Sequence, residues 1–271
     1  MADSLLDGID RASTLLAGIR SFATPAILAT FAHPNIVLTL AGAKGMAEAF
    51  NLEAKELALL RQSAGLFSRF GLSLRTRPAS HTEDYGGLYV LHRGAVDARL
   101  SLLAICDPPR RTEGGETDWI ATTTDRLLAS LKDASQTALL PHDALLDPLE
   151  EGIWLGYPDA AVLDWEAHLR IGSPAECSAD ILSVHPAAAD APGASPEFSY
   201  SRAHADDRAI LQTVKLWRHI LRTFYDGLAY ATLMTTSAID QGRAQLRERE
   251  LRNRIRWTQL RRHFRTREEP I

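Results

Sequence analysis

Residues 154–165 read WLGYPDAAVLDW, and within them Gly156-Tyr157-Pro158-Asp159 combines four residue types that suit the edge of a ligand site. Pro158 lacks an N–H and sets its own φ, so it belongs at the first position of a helix, where that N–H would find no partner. Asp159 then complements the helix dipole. Gly156 permits a tight turn or a close backbone approach. Tyr157 brings a ring and a hydroxyl to the mouth of the element. In open α/β sheets, ligands gather beyond strand ends, where helix N-termini offer free N–H groups. The plain structural alternative is a turn in which Tyr157 packs on Trp154 or Trp165.

Other reactive types lie within reach of this junction in sequence. Tyr157 and His168 are the proton-transfer candidates by residue type. Gly156, Pro158, Asp159, Cys177, His92 and Arg93 are the ligand-binding candidates. Arg93 directly follows a strand-like segment and suits an anionic group. Cys177 stands near Glu176 and Asp180, whose charges oppose a thiolate. With His168 or His185 it would form a Cys/His pair, although a chance arrangement is the favoured explanation.

Metal-ligand and phosphate motifs are missing. The nine histidines form no His-x-x-x-His or His-Glu-x-x-His, and there is no Cys-x-x-Cys, so no metal site is assigned. The richest local groups are His81, Glu83, Asp84 and His92 around a glycine-led strand, and His204-Ala205-Asp206-Asp207 at a helix start. Helix-dipole complementarity alone accounts for the second. There is no Gly-x-Ser-x-Gly, Gly-x-Gly-x-x-Gly or Gly-x-x-x-x-Gly-Lys-Ser/Thr, and no cofactor is implied. Gly42, Lys44 and Gly45, placed before what reads as a helix, give only a faint phosphate-cradle pattern.

The run GIWLGYPDAAVLDW followed by HLRIGSPAECSAD resembles an uncharacterised prokaryotic family with a Leu-Gly-Tyr-Pro turn, paired cysteines, a Val and a second Cys-containing patch. The match covers about residues 150–180, through Leu155, Gly156, Tyr157, Pro158 and Val162. Ala160 and Ala161 stand where the resemblance would put cysteines, and Cys177 alone remains of the second patch. The resemblance therefore implies a fold more than an activity. Any chemistry that depends on those cysteines is lost here.

The elements that must position these residues follow from pattern. The chain has 271 residues, 45% hydrophobic and 24% charged, enough for a sizeable core without staples. No run approaches a membrane span, the acidic N-terminus lacks a signal-peptide pattern, and two cysteines argue against a disulfide framework. A cytoplasmic protein with no membrane partner is the expectation. Basic residues are 26 Arg against 4 Lys, which fits a GC-rich coding sequence. Residues 241–271 hold ten Arg and four Glu, a balance of +6 that leaves −10 on residues 1–240 of a chain at −4.

Residues 1–71 read as a helical segment, with Asn51 capping a helix that buries Leu60 and Phe67 and stops at Gly71. LSLRTR (72–77) and GGLYVLH (86–92) read as strands, 95–105 as helix, WIATT as a strand, and a helix capped by Thr124 follows. IWLGY (153–157) reads as a fourth short strand. Residues 171–199 form a long Ser/Pro/Gly/Ala-rich loop in which ADILSV suits an edge strand. Beyond 200 come one long helix or two, broken at Gly227, with a broad apolar face that includes Leu211 and Leu216. The Arg-rich tail closes as a helix with a seam through Leu246, Asn253, Trp257, Leu260 and Phe264, widened by Leu251 and Ile255.

The fold class is α/β, with α+β as the alternative: a small mixed or mostly parallel sheet at 72–199, a helical segment at 1–71 and packed helices at 200–271. The first functional reading is a small-molecule site at the Gly-Tyr-Pro turn, in an enzyme of unassigned reaction. The alternative is a regulatory or assembly protein whose basic helix binds a partner, a second copy of the chain or, less favoured by the acidic body, nucleic acid.

Overall fold

Two cap-proline pairs organise the start of the chain. The computed structural model describes residues 2–77, 79, 84–95, 152, 155–158, 160–162, 181–184, 198–201, 204–229 and 233–265. Helix α1 (Ala2–Ile19) buries Ile9, Ala12, Leu15, Leu16 and Ile19, three and four residues apart as one helical face requires. Thr24 caps α2 (Pro25–Phe31), its hydroxyl accepting from the Ile27 N–H at 3.3 Å. His33 caps α3 (Pro34–Leu40) in the same way, Nδ1 accepting from the Asn35 N–H at 3.3 Å. In both, proline at the first helical position ends the previous segment and starts the next.

A turn through Gly42 leads into β1 (Met46–Leu52), which corrects the expectation of a wholly helical 1–71. Its Ala and Glu favour helix, but its place against β3 overrides that preference. Asn51 lies in β1 with φ +68°, and it does not cap a helix. Glu53 takes that position before α4 (Ala54–Gln62), its N–H donating to the Glu56 carboxylate at 2.8 Å. The short α5 (Ala64–Ser68) gives way to a turn that reaches Gly71, where φ is +73°.

β2 (Leu72–Arg77) and β3 (Gly86–His92) have the residue bounds that their patterns predict. The sheet order is β1-β3-β2, with both pairs antiparallel, so the expected parallel pairing is corrected. The 78–85 connection is too short for a crossover between parallel neighbours, which needs a dozen residues or more. β1 and β2 thus run the same way with β3 inserted between them. Leu88 and Val90 of β3 are fully buried, with α3 against β1 and β3, and α4 and α5 against β2. A separate hairpin joins β4 (Ile181–Val184, within the expected edge strand) to β5 (Phe198–Ser201).

Two long helices complete the described chain. α6 (Arg208–Ala229) is capped by Asp207, whose Oδ1 accepts from the Ala209 and Ile210 N–H groups at 2.8 and 3.1 Å. It buries Val214, Trp217, Ile220, Leu221 and Phe224 and runs through Gly227 without a break. Leu211 and Leu216 are exposed, so its buried stripe is narrower than expected. α7 (Leu233–Arg265) packs along α2, where a Cβ on Gly242 would overlap the Pro25 carbonyl. Leu251 and Ile255 are exposed and do not widen its buried seam. No helix among the described residues is long and apolar enough to cross a membrane. The fold is a mixed α and β arrangement with long C-terminal helices. The predicted elements over 96–151 lie outside the described residues.

Candidate functional site

The site is built around a lysine that the chain turns inward. Leaving α3, the backbone reverses at Gly42 (φ +77°), and the Ala43 and Lys44 N–H groups both donate to the Leu38 carbonyl. This hooks the Lys44 side chain into the interior, where the residue is 1% exposed. Its Nζ donates to Asn35 Oδ1 at 2.8 Å. It also lies 5.1 Å from the ring centroid of Tyr157 and 5.1 Å from that of Trp217. The two rings are 6.1 Å apart and inclined at 50°, so the ammonium sits between aromatic faces.

Burying a lone ammonium costs on the order of several kcal/mol after relaxation, and two desolvated cation–π contacts, each worth ~2 kcal/mol or more, offset part of it. No carboxylate among the described residues pairs with Lys44 at ion-pair distance. Burial accordingly pulls its pKa from 10.5 down to about 7, against the opposing field of Glu48. Near neutrality, the free amine is a major species.

The Gly-Tyr-Pro turn is what covers this lysine. Gly156 has φ +73°, and a Cβ there would come within 3.4 Å of both the Ala43 carbonyl oxygen and Lys44 Cα. Only glycine combines that conformation with that approach. The Tyr157 N–H donates to the Gly152 carbonyl at 3.0 Å, and a Cβ on Gly152 would lie 2.8 Å from Val162. Pro158 is buried, and its carbonyl accepts from the Val162 N–H at 3.1 Å to open a helical turn over 160–162. The expected fourth strand is corrected here: Gly152 is helical and 155–156 form a turn. The change of chain direction before Pro158 needs a turn, and the sheet gains no strand from it.

Tyr157 is half-buried and lines a cleft of about 630 Å³. α7 contributes Arg243, Arg247 and Glu250; β1 contributes Glu48 and the 46% exposed Phe50; the α2–α3 corner contributes His33 and Asn35. Arg243 pairs with Asp240 at 3.0 Å and Glu250 with Arg254 at 2.6 Å. Arg247 has no carboxylate partner among the described residues. Burial, then the charges of Lys44 and Arg243, lower the His33 pKa to about 4, so the ring is neutral. Because Nδ1 accepts from backbone, the remaining proton is on Nε2.

The other sequence candidates fall elsewhere. His92, at the end of β3, packs its ring on the opposite part of the same turn, with Nε2 3.3 Å from where a Gly42 Cβ would stand. Its Nδ1 accepts from the Ala95 N–H at 3.1 Å, and burial, followed by the charge of Arg11, lowers its pKa. Arg93 is exposed and donates from Nε to Ser73 Oγ at 3.3 Å. Neither residue lines the cleft. Of the histidine-acid group, Asp84 precedes β3 and His92 ends it, ~20 Å away along an extended strand, so these two do not meet; His81 and Glu83 lie outside the described residues. No cluster of potential metal ligands occurs among the described residues. Asp159, His168, Cys177 and His185, with Trp154 and Trp165, lie outside the described residues.

Sequence reasoning missed Asn35, His33, Arg243 and Arg247. His33 and Asn35 flank a proline and read as punctuation. Arg243 and Arg247 are four apart on a helix crowded with arginine, which hid their shared face. Lys44 carried a usable signal: one of four lysines, set in an Ala/Gly/Leu segment with no nearby acid until Glu48. No protein family, curated protein or solved structure matches the chain.

Proposed function

We propose that the cleft at the Gly-Tyr-Pro turn binds a small organic anion, and that the protein is an enzyme acting on it. The observation that carries this reading is the position of Tyr157. It is half-buried, lies in the cleft wall and rests its ring on a buried lysine. A residue serving only as packing would have no reason to sit between a solvent-facing cavity and an ammonium. Arg247 supplies an available cation at the rim, and Phe50 supplies an exposed apolar face for the body of a ligand. Tyr157 and neutral His33 are the candidates in the wall for proton transfer, by residue type.

Against the alternative of a nucleic-acid-binding tail stands the internal use of the α7 arginines. Arg249, Arg252, Arg254 and Arg256 all pair with carboxylates of this chain. These four guanidinium groups are thereby engaged within the chain and offer less charge to phosphates.

The test is a thermal-shift and NMR screen with small mono- and dicarboxylates and sugar phosphates, on wild type and on Arg247→Ala and Tyr157→Ala. At least one anion raises the melting temperature in a saturable way. Arg247→Ala weakens it about tenfold or more, as loss of one hydrogen bond to a charged group should. If no anion binds, or if binding is indifferent to both substitutions, the reading is wrong.

A further inference from the structure

We propose that Lys44 is a nucleophile that forms an imine with a small aldehyde or ketone bearing an anionic group. This rests on the reading of the cleft as a small-molecule site and adds the class of its ligand. Among the described residues the amine contacts one neutral amide oxygen, that of Asn35, and two aromatic faces, those of Tyr157 and Trp217. That is a poor setting for a structural cation, which in the interior normally has a carboxylate partner. It is a good setting for a free amine. Asn35 Oδ1 accepts one N–H and leaves the nitrogen lone pair available. The drop in pKa to about 7 agrees with this geometry and means that attack needs no external base at neutral pH.

Access follows from the same contacts. Two of the three groups that touch the amine, Asn35 and Tyr157, are themselves walls of the cleft. Nζ is therefore one side chain behind the cavity surface, and a ligand carbonyl must pass between these two side chains to reach it. A ligand held through its anion at Arg247 would present its carbonyl to this gap.

The step balances without any other reactant. The Nζ lone pair forms a bond to the carbonyl carbon as the C=O π bond breaks onto oxygen. The nitrogen's two protons leave with that oxygen as water, giving the C=N bond. Protonation of the imine recreates a cation between the same two rings, where the aromatic faces stabilise it as they do the ammonium. A buried lysine whose cage fits both the ammonium and the iminium is equipped for a covalent cycle.

The experiment uses the full chain, glyoxylate as the anionic aldehyde and cyanoborohydride as the trap, at pH 7, followed by peptide mapping. With only four lysines, Lys44, Lys55, Lys132 and Lys215, the labelled site is unambiguous. Lys44 is carboxymethylated about tenfold faster or more than exposed Lys55 and Lys215, because an ordinary lysine is almost wholly protonated at this pH. Lys44→Arg removes that label and leaves the slow labelling of the others. Uniform labelling, or labelling that spares Lys44, overturns the proposal, and because wild type is mapped directly the result does not depend on a variant folding. Glycolate, the same anion with an alcohol in place of the aldehyde, separates the two levels. If glycolate perturbs cleft resonances and Lys44 stays unlabelled, the imine is refuted and the anion site stands. If neither compound touches the cleft, both fall.

Discussion

Arg249 holds Glu56 from 193 residues away in the chain, with Nη1 donating to Oε2 at 2.6 Å and Nη2 to Oε1 at 3.3 Å. The same guanidinium donates to the Asn51 carbonyl at 3.0 Å and to Glu53 Oε1 at 2.8 Å. Glu56 also accepts from the Thr24 hydroxyl at 2.9 Å, so one carboxylate with 1% exposure joins the cap of α2, the start of α4 and the middle of α7. This is a buried ion pair with its lone pairs satisfied, and breaking it strands a charge.

Arg249→Met should therefore cost about 3–5 kcal/mol, the usual penalty for leaving one partner of a buried pair alone. Adding Glu56→Leu should recover much of that loss, because the stranded carboxylate is gone. Urea unfolding of wild type, both single variants and the double variant measures the coupling. Strictly additive losses would show that the two residues act independently.

Gly242 and Gly227 predict opposite outcomes for one substitution. Gly242→Ala drives a methyl group into the Pro25 carbonyl where α7 crosses α2, and should destabilise by about 1–3 kcal/mol through enforced helix separation. Gly227→Ala meets no atom within 4 Å and sits inside α6. It should stabilise by about 0.5–1 kcal/mol through helix propensity. Thermal melts of the two variants decide the matter, and equal effects would contradict the crossing.

Lys44 makes stability depend on pH in a direction that can be worked out. Unfolded, it binds its proton below its ordinary 10.5; folded, only below about 7. Between these values the unfolded chain carries the extra proton, so stability rises with pH, by up to about 1.4 kcal/mol per unit for one proton. Below 7 both states are protonated and the cost of the buried charge is complete. The difference between wild-type and Lys44→Met unfolding free energies should therefore change with pH across 7 to 10. A flat difference would mean that Lys44 titrates normally.

Much of the strand pattern was legible because alternation and glycine mark it directly. LSLRTR alternates, and GGLYVLH enters through two glycines that no helix interior would favour. β1 was not legible, since Met-Ala-Glu-Ala-Phe-Asn-Leu is built from helix formers and its register slips between Ala49 and Leu52. Its strand state is dictated by β3, which lies some forty residues later. The Gly156 turn was legible from φ requirements alone. Its ring partners were not, because Lys44 and Trp217 reach Tyr157 through tertiary packing that no spacing encodes. Arg249 was hidden among ten arginines of one tail, and only the buried Glu56 distinguishes it.

The order in which these groups leave the ribosome gives Lys44 and Glu56 a particular history. Both are synthesised early, yet their partners Tyr157, Trp217 and Arg249 come much later. Until then the first strand and its flanking helices hold two charges that can be buried only at a penalty. A nascent segment ending before α7 should therefore stay open and solvated, without closing into a stable unit. Arrival of the last helix supplies the missing guanidinium and the far wall of the cleft together. Completion of the fold and completion of the site are then a single event.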